Sequence, residues 1–201
     1  MSMQKWVYNF NSTKTDGDRS MKNLLGGKGA NLAEMSSLGL AVPPGFTVTT
    51  DACLDYVKNK NTISEQIKKE ILSALANIEK ITGKVFGDSA NPLLFSVRSG
   101  ARISMPGMMD TVLNLGMNDQ TVKAIEKFSG NRRFAWDSYR RFIQMYANVV
   151  MGFNVSILES TLEDLKEARR VEEDTDLNAD DLEQLVIVFK RIILEESGLS
   201  F

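Results

Sequence analysis

Asn23-Leu24-Leu25-Gly26-Gly27-Lys28-Gly29-Ala30-Asn31-Leu32-Ala33-Glu34-Met35 is the stretch on which the fold turns. From Ala30 its apolar positions fall at helical spacing: Leu32, Ala33, Met35 and Leu38 share a face, and Gly39 stands where a C-cap would. Ahead of that helix lie three glycines around a lysine. Glycines at such a junction let backbone N–H groups approach a phosphate, a helix N-terminus adds partial positive charge, and Lys28 supplies a full one. Gly26-Gly27-Lys28-Gly29 is not a Walker A loop, in which a glycine stands well ahead of Gly-Lys-Ser/Thr. On its own the pattern also fits an ordinary turn with a solvated lysine.

Outward from this junction the chain alternates strand-like and helical text. Met3–Phe10 reads as a short strand, and the polar run 11–20 as a loop. Val42-Pro43-Pro44-Gly45 is a stiff turn into a strand over Phe46–Thr50, with Thr50 as N-cap of a helix Ala52–Lys58. Thr62 and Glu65 have capping-box spacing, ahead of Ile63, Ile67, Ile71, Leu75, Ile78 and Ile81 at steps of three and four, ending near Gly83. Pro92 opens a segment to Arg98 rich enough in β-formers to be a buried strand, followed by a Gly- and Met-rich stretch of weak periodicity. Beyond Asp119 four amphipathic runs follow, through Val122, Phe142, Leu162 and Val186. The expectation is a mixed α/β part over 1–117 and a helical part over 118–201.

Composition removes several chemistries. The 201 residues include no histidine and one cysteine, Cys53. Ser-His-Asp or Cys-His catalysis, an HExxH zinc site, a four-thiolate centre and an internal disulfide are therefore excluded within this sequence. With 24 Lys+Arg against 26 Asp+Glu, the chain is not a general nucleic-acid or anionic-membrane binder. No run approaches the ~20 apolar residues of a membrane span, which makes the cytoplasm the expected location. Charge is unevenly spread: residues 1–155 carry 19 basic and 13 acidic side chains, net +6, and residues 156–201 carry 5 and 13, net −8. Such a swing suggests regions that meet different surroundings.

Three other clusters compete for chemistry. In Val97-Arg98-Ser99-Gly100-Ala101-Arg102, Arg98 ends a strand, where α/β folds gather ligand contacts, and its planar fork suits phosphate oxygens. A structural ion pair with Asp110 or Glu34 is the alternative. Ser104-Met105-Pro106-Gly107-Met108-Met109-Asp110-Thr111 suits a pliable flap over a base or partner, or plain core filling. Arg132, Arg133, Arg140 and Arg141 offer a docking face, although Asp137 and Arg141 at i, i+4 also suit a solvated helix surface. The acidic run Glu172–Asp176 lacks the glycine and twelfth-position glutamate of an EF-hand. It reads as a connection, with Asp176 or Asn178 capping the last helix, and no metal is assigned to it.

Taken together, the run Asn23–Met35, Val42-Pro43-Pro44-Gly45-Phe46-Thr47, Ser96–Arg102, Ser104–Thr111 and the helix Asp137–Tyr146 resemble the start of the pyruvate, phosphate dikinase family. Water dikinases share the GGKG and VRS elements but differ after the arginine. The resemblance covers nearly the whole chain. It implies the first lobe of an ATP-grasp fold with a helical subdomain, ATP as substrate, and a nucleotide-binding set of Gly26, Gly27, Lys28, Gly29, Arg98, Met105 and Asp110. Lys28 and Arg98 would be the catalytic cations on the ATP phosphates. It further implies a swivelling domain bearing the phosphoacceptor histidine, Mg2+ held by carboxylates outside this sequence, and a homo-oligomeric enzyme. Members of that family are several times longer, so the chain is expected to be an inactive part of one. A non-catalytic interaction module is the reading from a different class.

Overall fold

The computed structural model describes residues 4–100 and 111–201, and shows helices joined to three small two-stranded sheets, an α+β arrangement. Its elements are β1 (Val7–Phe10), α1 (Lys22–Ser37), β2 (Gly45–Val48), α2 (Thr50–Lys58), α3 (Glu65–Thr82), β3 (Val85–Phe86), β4 (Pro92–Leu93), β5 (Phe95–Arg98), β6 (Thr111–Leu115), α4 (Thr121–Ser129), α5 (Arg132–Val149), α6 (Ser156–Arg169) and α7 (Ala179–Ser197). They divide into two compact units, Met1–Gly83 with Ser99–Met109, and Lys84–Arg98 with Asp110–Phe201. This division does not run at residue 117: β3 to β6 group with the helices that follow them.

In the first unit β1 and β2 pair antiparallel, with Val7 opposite Val48 and Phe10 opposite Gly45. Gly45 is required there, because a Cβ would lie 2.4 Å from the Phe10 ring. Trp6, Val7, Ala52, Ile67 and Ala74 form the core, with Phe46 and Ile71 packed against it. One carboxylate oxygen of Glu70, on α3, accepts from the N–H groups of Trp6 (2.8 Å) and Val7 (3.0 Å), which ties the entrance of β1 to that helix. The caps sit one or two residues from the expected places. Thr49 rather than Thr50 accepts from Ala52 N–H at the start of α2, and Ser64 caps α3 in place of a Thr62–Glu65 box. Gly83 closes α3 in the left-handed conformation, as its position suggested.

The second unit is built on the packing of α5 against α7, with Tyr139, Phe142, Ile143, Leu182, Leu185, Phe189 and Ile193 between them and Leu158 and Leu162 brought in by α6. The four amphipathic runs are α4, α5, α6 and α7. Asn178 caps α7, its side chain accepting from the N–H groups of Asp180 and Asp181. The expected single buried strand over 92–98 is instead two short ones. β4 is buried, but Ser96, Val97 and Arg98 of β5 are exposed, and the β5–β6 register shifts between Phe95 and Val97. β6 itself had no legible period, in keeping with Asn114 inside it at φ 58°.

Burial overturns the reading of a docking or solvated face at Arg140, whereas Arg141 keeps the i, i+4 partner that its spacing from Asp137 suggested. Arg140 is 3 % exposed, its guanidinium held by Asp137 (2.7 Å), Asp174 (3.1 Å) and Gln144 (2.7 Å). Arg132 pairs with Asp180 and Glu183, and Arg133 donates to the carbonyls of Leu177 and Asp174. Arg141 is the most exposed of the ion-paired arginines on this helix and pairs with Asp137 at 3.0 Å. Three acidic residues of the C-terminal stretch, Asp174, Asp180 and Glu183, therefore neutralise charge on α5 within one unit. Between β6 and α4, Asp119 accepts from the Tyr139 hydroxyl (3.0 Å) and the Lys190 ammonium (2.6 Å). Partial burial pushes the Asp119 carboxyl up, but these donors outweigh it and hold it below its ordinary value.

Phe189→Ala should cost about 3–5 kcal/mol of unfolding free energy, since the ring is wholly buried, whereas Ile187→Ala, two residues away on the exposed face, should stay within ~0.5 kcal/mol; urea titrations of both decide this. The lowered Asp119 carboxyl contributes stability that is present above the ordinary value of 3.8 and lost as pH falls through its lower native value. Asp119→Asn should therefore melt below the parent chain at pH 7, and the gap between the two melting curves should close under strongly acid conditions.

Candidate functional site

The glycine-rich turn is not a loop ahead of a helix. Helical structure begins at Lys22, and Gly26, at φ 70° and ψ 167°, breaks it into two segments. A non-glycine residue at these angles would be strained, so the break belongs to this sequence position. The second segment thereby gains an N-terminus of its own, whose first residues are Gly27, Lys28 and Gly29. First-turn amides of a helix have no acceptor on the preceding turn, and together with the axial dipole they favour an anion.

The three glycines of the turn do different work. A Cβ on Gly29 would come within 2.8 Å of Thr47 Cγ2 and 2.9 Å of its Oγ1, so this glycine lets the helix lie directly on β2. A Cβ on Gly27 would meet nothing within 4 Å; the surface beside it is open. Gly26 provides the break. Lys28 is half-buried between Gly27 and Gly29, and has no hydrogen-bond or ion-pair partner among the described residues. Glu34, one of the carboxylates considered for Arg98, instead accepts from the Arg19 N–H at 3.3 Å.

The structure thus gathers Gly26, Gly27, Lys28 and Gly29 into one turn. Arg98 is the last residue of β5 and belongs to the other compact unit; it is exposed and without an ion-pair partner among the described residues. The chain after it counts with the first unit, where a Cβ built on Gly100 would lie 4.0 Å from the carbonyl oxygen of Leu25, next to the break. Met105 and Asp110 lie outside the described residues. Sequence reading missed Thr47, which seats Gly29, and Thr50, whose hydroxyl donates to the Asn23 carbonyl at 2.7 Å. Threonines in a strand-to-helix junction carry no chemical signature, and only their contacts distinguish them.

Among the described residues no group of three or more Cys, Asp or Glu gathers as a metal site. No helix among them is long and apolar enough to cross a membrane.

A family model for the pyruvate phosphate dikinase AMP/ATP-binding domain matches residues 22–82 and, overlapping them, 60–132. The chain is 52 % identical over 199 residues to pyruvate, phosphate dikinase of Rhizobium meliloti (strain 1021), a match covering 99 % of this chain and 22 % of that protein. To the Clostridium symbiosum enzyme of the same name it is 54 % identical over 193 residues, 96 % of this chain and 22 % of the relative. To the chloroplastic pyruvate, phosphate dikinase of Mesembryanthemum crystallinum it is 53 % identical over 197 residues, 98 % and 21 %. The chain thus spans about a fifth of the length of these curated relatives. The model match takes in the broken helix, the Gly26–Gly29 turn and Arg98, and with it the chain belongs to the pyruvate phosphate dikinase AMP/ATP-binding domain family.

Proposed function

We propose that this chain forms the ATP-side first lobe of an ATP-grasp domain, with its helical subdomain, in a pyruvate, phosphate dikinase of the cytoplasm. The observation that carries the reading is the break at Gly26, which sets a fresh helix N-terminus and an unpaired lysine at one open turn. Phosphate oxygens would accept from the amides of that turn, and the Lys28 ammonium would sit beside them as a point charge. Arg98, exposed and without a carboxylate partner among the described residues, joins the nucleotide set through the family resemblance, its planar fork suited to phosphate oxygens. Met105 and Asp110 complete the proposed nucleotide set through the family resemblance alone.

The chemistry asked of these residues is electrostatic. As a phosphoryl group transfers, negative charge spreads over its oxygens, and cations already in place stabilise that charge without reorganising. The acceptor must be supplied from outside this sequence, because it contains no histidine. In the proposed whole reaction the phosphoryl group passes from ATP to a histidine of a swivelling domain and then to pyruvate. The net change interconverts ATP, pyruvate and phosphate with AMP, phosphoenolpyruvate and diphosphate. This chain by itself binds nucleotide and does not turn over.

Titrating the isotope-labelled chain with ATP should move the amide resonances of Gly27, Lys28 and Gly29. Lys28→Ala and Arg98→Ala should each weaken that binding roughly tenfold or more, the scale of one lost charge-assisted hydrogen bond, with unfolding midpoints unchanged. Absence of any response at millimolar ATP would defeat the proposal, and so would AMP release by the chain alone.

A further inference from the structure

A helix broken at a glycine is a soft joint: the ladder of backbone hydrogen bonds no longer holds its halves in one register, and glycine itself imposes no torsional preference. Each half of α1 must therefore be fixed from outside the helix if the turn between them is to keep its shape. Both anchors come from the same four residues. Before the break, the Thr50 hydroxyl donates to the carbonyl of Asn23 at 2.7 Å, linking residues 27 apart in sequence. After the break, the bare Cα of Gly29 sits against the Thr47 side chain, where a Cβ would come within 2.8 Å.

The Thr47–Thr50 stretch is itself firmly rooted. Thr47 pairs with Tyr8 in the β1–β2 ladder. Thr49 is buried, caps α2 with its hydroxyl oxygen, and donates its N–H to the Trp6 carbonyl at 3.0 Å. The strand-to-helix junction thus offers a rigid edge with one contact for each half of α1. We infer that Thr50 is a positioning residue for the nucleotide turn, holding the first half of α1 so that Gly26, Gly27 and Lys28 keep the conformation that receives phosphate. This rests on the nucleotide reading of that turn. Thr50 touches no reacting atom; it acts through the Asn23 carbonyl.

The test compares Thr50→Val, which keeps the shape and loses the donor, with Thr50→Ser, which keeps the donor. Thr161→Val is the control, since the Thr161 hydroxyl donates to the Ile157 carbonyl in the remote α6. In the nucleotide-free chain T50V should shift the amide resonances of Gly26, Gly27 and Lys28, while T50S and T161V leave them in place. ATP affinity should fall about three- to tenfold in T50V, the scale of one lost neutral hydrogen bond, and be retained in T50S. Unmoved resonances with parental ATP affinity in T50V would overturn the inference, even if Lys28→Ala abolished binding and so upheld the nucleotide reading. Failure of the parent chain to bind ATP would remove that reading, and the nucleotide-free spectra would still decide whether Thr50 shapes the turn. Unfolding of T50V would also count against it, since the hydroxyl would then serve the unit as a whole.

Discussion

The left-handed backbone of Gly26 is the constraint on which the candidate site depends. A helix that ran unbroken from Lys22 to Ser37 would bind the amides of Gly27, Lys28 and Gly29 to its own preceding turn and leave nothing for a ligand. One residue at φ 70° converts the middle of a helix into a beginning. The break also sets what its neighbours must be. Gly29 has to be bare for the second half to rest on Thr47, whereas Gly27 faces open space and has no packing reason to lack a side chain. The same motif letter thus answers to three physical demands: torsion, packing and access.

The second unit shows how charge that looks available in a sequence can be consumed by the fold. Four arginines on α5 and the acidic stretch 156–201 suggest opposite surfaces for outside partners. They meet each other instead. Arg140 is buried with three polar groups around it, Arg132 reaches α7, and Arg133 turns back to two carbonyls near the 3₁₀ turn Asp174–Asp176. Removing one partner of a buried pair leaves the other charge without compensation, so such a cluster enforces one arrangement of helices more than it adds net stability. Lys28 and Arg98, by contrast, have no carboxylate partner among the described residues.

Legibility followed the strength of local signals. α3, α5 and α7 were plain because their apolar residues recur over four or five turns, and Gly83, Gly130 and Asn178 carry termination or capping preferences that need no tertiary help. Short strands were not. β6 hides in an irregular run with Asn114 in a left-handed conformation, and β4 and β5 read as one strand because the interruption at Leu94 has no compositional mark. Cap positions slipped among Thr49, Thr50, Thr62 and Ser64, where neighbouring hydroxyls are chemically equivalent and the chain path chooses between them.

By itself the sequence determined which chemistries are closed within it: with no histidine and one thiol, what remains is carried by lysine, arginine, carboxylates and backbone amides. It also determined the α+β class and the family, because periodicity and motif letters are properties of the order of residues. Tertiary structure alone decided that the glycine run interrupts a helix, that Thr47 and Thr50 hold its two halves, and that Arg140 is interior. The reason is one of range. The contacts made to the two halves of the broken helix come from residues 18 and 27 positions away, and no local pattern records them.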